Sequence, residues 1–600
     1  MAAPSENQSS NENLDPLKMS EAFLKMGRRV QNLLQNQKNF QQNDFLAHVH
    51  HVTQFYSEAA SKLMYNPEKV AAATQEYLKN IGELGQQMMN FAAQESVRLD
   101  PIITPARNDR RFKSDLWQKN PFFDTLKQSY LLWNQWICKT ADAVEGLDKT
   151  EGLKFNFYTR QIADFFSPSN FLWTNPQALQ KIIDSKGMSF LKGMENFVQD
   201  LEEGDGNFSL KMVDTKAFEL GKNLATTPGK IVFQNDLIQL IQYQPLTNQV
   251  YQQPLLLIPP CINKYYIFDM RPDNSFTRWC LEQGMQVFII SWVNPDEKLA
   301  TKSFEDYVFE GVGEAARMVQ EITQSPLINA LGFCIGGTFL SAYAAYTSAK
   351  GQKVFSSLTY LATLFDFGQA GDLKVFIDEE QLNDIEQRIQ EKGLMEGRIL
   401  ARTFNLLRAN DLIWWFVVNN YLLGEEPAAF DLLYWNSDFT DLPAKMYIYY
   451  LREIFFKNRL MKAQSISLKD QPLDLSKIDI PSYIFSTRDD HIAPWQAGYA
   501  GVHILASKTK FVLGDSGHIA GVFNPPQARK YQYWTSDQYP QESEQWLLQA
   551  QNHQGSWWQD WCQWINPFLG TQRAADSIED SKLDALEMAP GSYALRKGAA

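Results

Sequence analysis

The run Ile328-Asn329-Ala330-Leu331-Gly332-Phe333-Cys334-Ile335-Gly336-Gly337-Thr338 constrains the fold more than any other part of the chain. An apolar segment of strand length, Ile328 to Leu331, enters a glycine-flanked cysteine and leaves into an apolar helical segment, Thr338 to Ala349. Strand, sharp turn and helix in that order form a nucleophile elbow, with cysteine where serine usually sits. Side chains at Gly332 and Gly336 would collide with the adjoining strand and helix, so the turn requires glycine there. The helix dipole and its free N–H groups favour thiolate over thiol at Cys334. The N–H of Ile335 would point at a developing oxyanion. A buried structural cysteine beside a tight turn explains an isolated G-x-C-x-G equally well, so residues elsewhere must decide.

An elbow of this kind belongs to a parallel sheet, and the surrounding sequence has that texture. From about residue 230, short apolar runs alternate with helical stretches. Leu255 to Ile258, Val287 to Ile290, Ile328 to Gly332, Ser357 to Ala362, Tyr483 to Ser486 and Phe511 to Leu513 are the expected strands. Between the fourth and fifth lies an aromatic-rich interval, about 367–480, too long for a structureless loop and so expected as a cap or lid. Trp414, Trp415, Phe416, Tyr421, Tyr434 and Trp435 cover a pocket, form a subunit interface or fill the cap's own core; the sequence leaves these three open.

Residues 1–16 read as a loose tail. Phe23, Met26, Val30 and Leu33 then recur with the spacing of one helical face, and Tyr77, Ile81, Leu84, Met88 and Phe91 form another, opened by Pro67. The expected organisation is a mainly helical domain over 1–215 and an α/β domain over 216–600, with the cap inside it and an extended segment over 571–600. The helical domain packs on its neighbour in the plainer reading and docks partner helices or an oily surface in the sharper one.

A nucleophile on such a sheet calls for an acid and then a histidine on loops after later strands. The strand ending at Ser486 runs into Thr487-Arg488-Asp489-Asp490-His491, and that ending at Leu513 into Gly514-Asp515-Ser516-Gly517-His518. Asp490 is the candidate acid and His518 the candidate base, with Asp489 and His491 as rivals. His491 directly follows the acid, so its side chain is expected to point elsewhere. The chain has 7 histidines, which makes one at the expected strand end informative; His48, His50 and His51 read as a solvated helical face. A second oxyanion donor is sought in Pro259-Pro260-Cys261-Ile262-Asn263-Lys264-Tyr265-Tyr266, as the backbone N–H of Ile262 or Asn263.

Composition narrows the function from the other side. Net charge is −13, with 56 Lys plus Arg against 69 Asp plus Glu, which disfavours a nucleic-acid binder. Cys138, Cys261, Cys280, Cys334 and Cys562 form no C-x-x-C pair, so neither zinc site nor disulfide framework is indicated. No Walker A, H-E-x-x-H or Rossmann glycine pattern is present. The N-terminus lacks the charged and apolar regions of a secretory signal, and the best apolar run, Leu412 to Gly424, is broken by Asn419 and Asn420; a cytoplasmic location is expected.

With these residues in hand, the chain resembles the class I polyhydroxyalkanoate synthases, enzymes of the α/β-hydrolase type. The likeness rests on Asp109-Arg110-Arg111-Phe112, Pro168-Ser169-Asn170-Phe171, Pro260-Cys261-Ile262-Asn263-Lys264-Tyr265-Tyr266, Gly332-Phe333-Cys334-Ile335-Gly336-Gly337, Asp490-His491-Ile492 and Gly517-His518-Ile519-Ala520-Gly521. It spans about residues 100–570. The resemblance implies Cys334 as covalent nucleophile, Asp490 as its acid/base partner and His518 as general base. It also implies (R)-3-hydroxyacyl-coenzyme A as substrate, with short acyl chains, and polyester plus free coenzyme A as products. No cofactor is implied, coenzyme A being part of the substrate. A homodimer formed through the cap, attachment to the polyester granule and phasin-type granule proteins as partners are further implications. A thioesterase with the same three residues, and a non-catalytic granule scaffold, are the competing readings.

Overall fold

The computed structural model describes residues 66–94, 100–106, 109–204, 210–576 and 586–597, with Lys25, Arg28, Arg29, Tyr56 and Ser57. The expected helical face from Phe23 to Leu33, the tail 1–16 and His48, His50 and His51 lie outside the described residues. The chain divides into two compact units, 1–212 with 408–428 and 213–407 with 429–600. The interval read as a single cap is therefore shared: 408–428 belongs to the first unit, and the rest of it to the second.

The first unit is helical because its apolar residues recur at helical spacing and several of its helix starts are capped. In α1 (Pro67–Gln94), Ala73 and Leu84 are buried and Tyr77, Ile81, Met88 and Phe91 half-buried along one face. At the start of α2 (Pro121–Asp142), Asn120 accepts from Phe122 N at 2.9 Å and Pro121 fills the first position, which needs no N–H. Asp148 and Glu151 form a capping box at the start of α3 (Lys149–Phe165). Along α4 (Met188–Glu203), a side chain at Gly193 would sit 2.0 Å from the Tyr421 carbonyl oxygen, so glycine lets residues 417–422 lie directly against this helix. Arg111 ties the unit together, pairing with Asp109 at 2.9 Å and Asp164 at 3.2 Å while donating to Tyr130 Oη at 2.8 Å.

Among the described residues, the second unit is built on an 11-stranded sheet. Its strands are β1 (Gly229–Gln234), β2 (Ile238–Tyr243), β3 (Leu255–Ile258), β4 (Val287–Trp292), β5 (Ile328–Phe333), β6 (Phe355–Leu361), β7 (Ser482–Thr487), β8 (Thr509–Gly514), β9 (Gln532–Thr535), β10 (Gln551–Gln554) and β11 (Glu587–Met588). They lie in the order β10-β9-β8-β7-β6-β5-β3-β4-β2-β1-β11. The stretch from β4 through β8 is parallel, and both flanks are antiparallel. Side chains alternate between the faces, as strand geometry demands. Leu256, Ile258, Phe288 and Ile290 enter one apolar core, and Leu255, Leu257, Val287 and Ile289 the other. The six strands expected from apolar runs are β3 to β8; the antiparallel flanks were not among those expectations.

After β4 the chain crosses back over β3 to place β5 on its other side, so the direction of winding reverses between β3 and β5. Ligands of open α/β sheets bind outside the strand carboxyl ends at such a reversal. The Cys334 turn and the loop from Pro259 to Lys264 both leave the sheet there.

Candidate active site

Cys334 stands between β5 and α5 (Ile335–Ala349) with φ 54° and ψ −124°. A residue with a side chain rarely takes a positive φ, and such strain concentrates at functional sites. The turn is held from several sides. Cys334 N donates to Leu361 O at 2.9 Å, and its carbonyl accepts from Gly337 N at 2.9 Å and from Thr363 Oγ1 at 3.3 Å. A Cβ on Gly332 would lie 2.5 Å from Gly337 Cα, and one on Gly336 would lie 2.2 Å from Ile258 O. These are the collisions with helix and strand that the glycines avoid. Gly337 has the same need against Thr363, at 2.0 Å.

Asp490 and His518 come from the loops after β7 and β8. Thr487 and Gly514 face one another across the parallel pair, which brings the two loops together. Asp490 Oδ2 and His518 Nδ1 are 2.6 Å apart, and the Asp490 side chain has no exposed surface. A carboxylate only accepts, so Nδ1 carries the proton and the other ring nitrogen is left to face elsewhere. Asp490 Oδ1 accepts from Ile492 N and Ala493 N, each at 2.8 Å, and Oδ2 also accepts from Thr487 Oγ1 at 3.4 Å. Asp489, its neighbour, is exposed. Phe333 lies against the His518 ring, with centroids 5.1 Å apart.

Burial alone would lower the His518 pKa. The Asp490 carboxylate and, after it, the nearby Cys334 sulfur outweigh burial and raise it to about 10. Imidazole, carboxylate and sulfur therefore form one electrostatic group. Cys261 is not its equivalent, since burial pushes that thiol up.

The loop after β3 forms the facing wall. Trp292 Nε1 donates to Pro259 O at 2.9 Å, Thr440 N to Ile262 O at 2.8 Å, and Trp435 Nε1 to Lys264 O at 2.7 Å. Asn263 pairs with Phe439 as an antiparallel bridge and its side-chain amide reaches Trp435 O at 3.4 Å. Residues 435–440, inside the interval read as a cap, are thus fastened to this loop. The Tyr450 phenol further along is raised well above its ordinary range by burial and then by the nearby Cys334 and Cys261 sulfurs. Thr363 and Thr440 were missed in the sequence; Thr363 was findable in principle, since it follows the carboxyl end of β6.

Two family descriptions match this chain: the N-terminus of poly-beta-hydroxybutyrate polymerase (PhaC) over residues 108–280, and the alpha/beta hydrolase fold over 254–525. The poly(3-hydroxyalkanoate) polymerase subunit PhaC of Rhizobium meliloti (strain 1021) is 41% identical over 90% of this chain and 87% of its own. The chain belongs to the poly(3-hydroxyalkanoate) polymerases. The PhaC subunit of Cupriavidus necator (strain H16) and the poly(3-hydroxyalkanoate) polymerase of Methylorubrum extorquens are each 41% identical over about nine-tenths of both chains. An esterase of Exiguobacterium antarcticum is 12% identical with a TM-score of 0.28, over 49% of this chain and 92% of that one. As a polymerase of this family the chain is an acyltransferase that joins hydroxyacyl units into polyhydroxyalkanoate. Among the described residues, no cluster of His, Cys, Asp and Glu is arranged to hold a metal, and no helix is long and apolar enough to cross a membrane.

Proposed function

We propose that the polymerase works by covalent acyl transfer through Cys334, with His518 as general base, Asp490 as its orienting acid and (R)-3-hydroxyacyl-coenzyme A as substrate. The observation that carries this reading is the Asp490–His518 pair, 2.6 Å apart and electrostatically joined to a cysteine held at positive φ. The ionised sulfur attacks the thioester carbonyl and forms an acyl–sulfur bond. The coenzyme A thiolate leaves and takes the proton held on His518. One thioester replaces another, so the acyl group stays activated. The 3-hydroxyl of a second hydroxyacyl-coenzyme A then gives its proton to His518 and attacks the Cys334 thioester, forming an oxoester and freeing the sulfur. The lengthened chain, now on coenzyme A, acylates Cys334 again. No cofactor enters these steps.

Both Asp490 oxygens are already occupied by hydrogen bonds, which favours orienting the imidazole over direct deprotonation of the substrate hydroxyl. Cys334 N is bonded to Leu361 O on β6 and Gly337 N to Cys334 O within the turn. At the start of α5 this leaves the N–H groups of Ile335 and Gly336 without a partner one turn back, and Ile335 serves as one oxyanion donor. Ile262 or Asn263 supplies the second.

Cytoplasmic granule association is part of the same reading. The first unit exposes Phe122, Phe165, Phe166, Phe171, Trp173 and Trp415, a surface suited to an apolar polyester. A homodimer using the cap, and phasin-type proteins as neighbours on the granule, complete the proposal. The test is to mix purified protein with (R)-3-hydroxybutyryl-coenzyme A and analyse products. Free coenzyme A with insoluble polyester is expected, both lost in Cys334→Ala. Soluble hydroxy acid in place of polyester would establish the thioesterase instead, and coenzyme A release surviving Cys334→Ala would remove Cys334 from the chemistry.

A further inference from the structure

Residues 586–597 form a strap on the edge of the second unit. β11 pairs with β1, Leu586 N donates to Ile231 O at 3.0 Å, and Ala589 N donates to Gly229 O at 2.9 Å. Further along, Tyr593 N donates to Gln239 Oε1 at 3.1 Å and Tyr593 Oη to Asn235 O at 2.6 Å, while Ala594 is buried. The strap ends at the loop carrying Ile262 and Asn263. Lys264, only 2% exposed, donates its ammonium to the carbonyl oxygens of Tyr593, at 3.3 Å, and Arg596.

A buried ammonium is costly unless hydrogen-bonded. If the strap moves away, Lys264 loses both acceptors, its ammonium turns to water or to the nearby Asp438 carboxylate, and the loop loses its tie on that side. The backbone of Lys264 is at the same time fixed from the opposite side by Trp435 Nε1. Its position is therefore set jointly by residues 435–440 and by the strap, and Asn263 and Ile262 directly precede it.

We propose that Lys264 is a positioning residue through which residues 592–597 set the second oxyanion donor for acyl transfer. This rests on the reading of Ile262 or Asn263 as that donor and of Cys334 as nucleophile. The strap acts through Lys264 on the position of the loop. A displacement near 1 Å at a reacting centre costs on the order of 10²-fold in rate.

The test uses the full chain with Lys264→Met, which keeps the aliphatic stem, Ala594→Asp, which drives the strap off its buried seat, and both together. Release of coenzyme A from (R)-3-hydroxybutyryl-coenzyme A is measured beside alkylation of Cys334 by iodoacetamide, followed by mass spectrometry; alkylation needs no oxyanion donor. Each single variant is expected to lower kcat about 10²-fold, with KM and the alkylation rate within about twofold of the parent. The double variant is expected to be no slower than the worse single one, because both break the same link. The proposal is overturned if either single variant leaves kcat within twofold, if the two losses multiply, or if alkylation falls in step with kcat. In that last case the strap supports the nucleophile itself. Failure of the underlying reading shows separately, as undiminished coenzyme A release in Cys334→Ala.

Discussion

At Cys334 the backbone is bent into a conformation that a side chain disfavours, and the bonds from Leu361, Gly337 and Thr363 oppose that strain. Chemistry follows from who shares the sulfur's proton. With the His518 pKa raised to about 10, the imidazole keeps its proton through neutral pH, and the pair loses it as pH passes that value. Coenzyme A release should therefore fall as pH rises through about 10. Asp490→Asn removes a charge that raises the His518 pKa, so the alkaline limb should move to lower pH by at least about one unit, with a rate loss of about 10³–10⁴-fold. A pH profile of both proteins measures the two effects; an unmoved limb would refute the coupling. The sign for stability follows from the same shift. A group whose folded pKa is raised contributes fully below its unfolded value, 6.5, and the contribution is lost on the way to about 10. The thermal midpoint of the parent should thus fall more between pH 7 and 10 than that of His518→Gln.

Elements explain which of these residues the sequence exposes. β3 to β8 are buried on both faces, so they appear as apolar runs, and a nucleophile, acid and base at their carboxyl ends can be sought by position. β2 is Ile238-Gln239-Leu240-Ile241-Gln242-Tyr243, whose glutamines hide it; Gln239 is fully buried because its amide meets Gln234, Glu587 and Ser592. β10 is polar because it is the outermost strand and exposed, and nothing in Gln551-Asn552-His553-Gln554 looks like a strand. Thr363, Thr440 and the ammonium of Lys264 hold the site by bonding to backbone carbonyls, a role any pattern of residues would leave unmarked. The turn makes the sharpest element-level prediction. Gly336→Ala puts a methyl group 2.2 Å from Ile258 O and 2.7 Å from Pro259 O, both backbone atoms, so β3 or α5 must move. A stability loss of about 1–3 kcal/mol is expected in urea unfolding, with an activity loss of at least about 10²-fold as Cys334 is displaced. Gly82→Ala in α1 meets open space and should gain about 0.5–1 kcal/mol. Equal effects at the two positions would contradict the packing argument.

On the scale of the whole molecule, acyl transfer gives a product that leaves water, and the proposed granule association keeps the enzyme at the boundary of that phase while its substrate arrives dissolved. The two units offer contrasting means. The second holds its tryptophans inward, with Trp435, Trp546, Trp557, Trp558 and Trp561 inside its cores. The first leaves aromatics outside: Trp173 is 77% exposed and Phe166 56% exposed. Phe165 links Phe166, Phe171 and Trp414 by ring contacts of 5.0, 6.0 and 5.5 Å, so these side chains form a patch and not scattered singles. Burying one such side chain against an apolar phase stabilises by about 1.5–3 kcal/mol, or roughly tenfold or more in partition per residue. Phe166→Ser with Trp173→Ser should therefore weaken binding to preformed polyester particles by at least about 10²-fold, measured by co-sedimentation. Initial coenzyme A release from soluble substrate, before polymer accumulates, should stay within about twofold of the parent, because neither side chain belongs to the unit that carries Cys334, Asp490 and His518. Undiminished co-sedimentation would shift granule attachment to another surface, and a parallel loss of initial rate would show that this patch serves the chemistry.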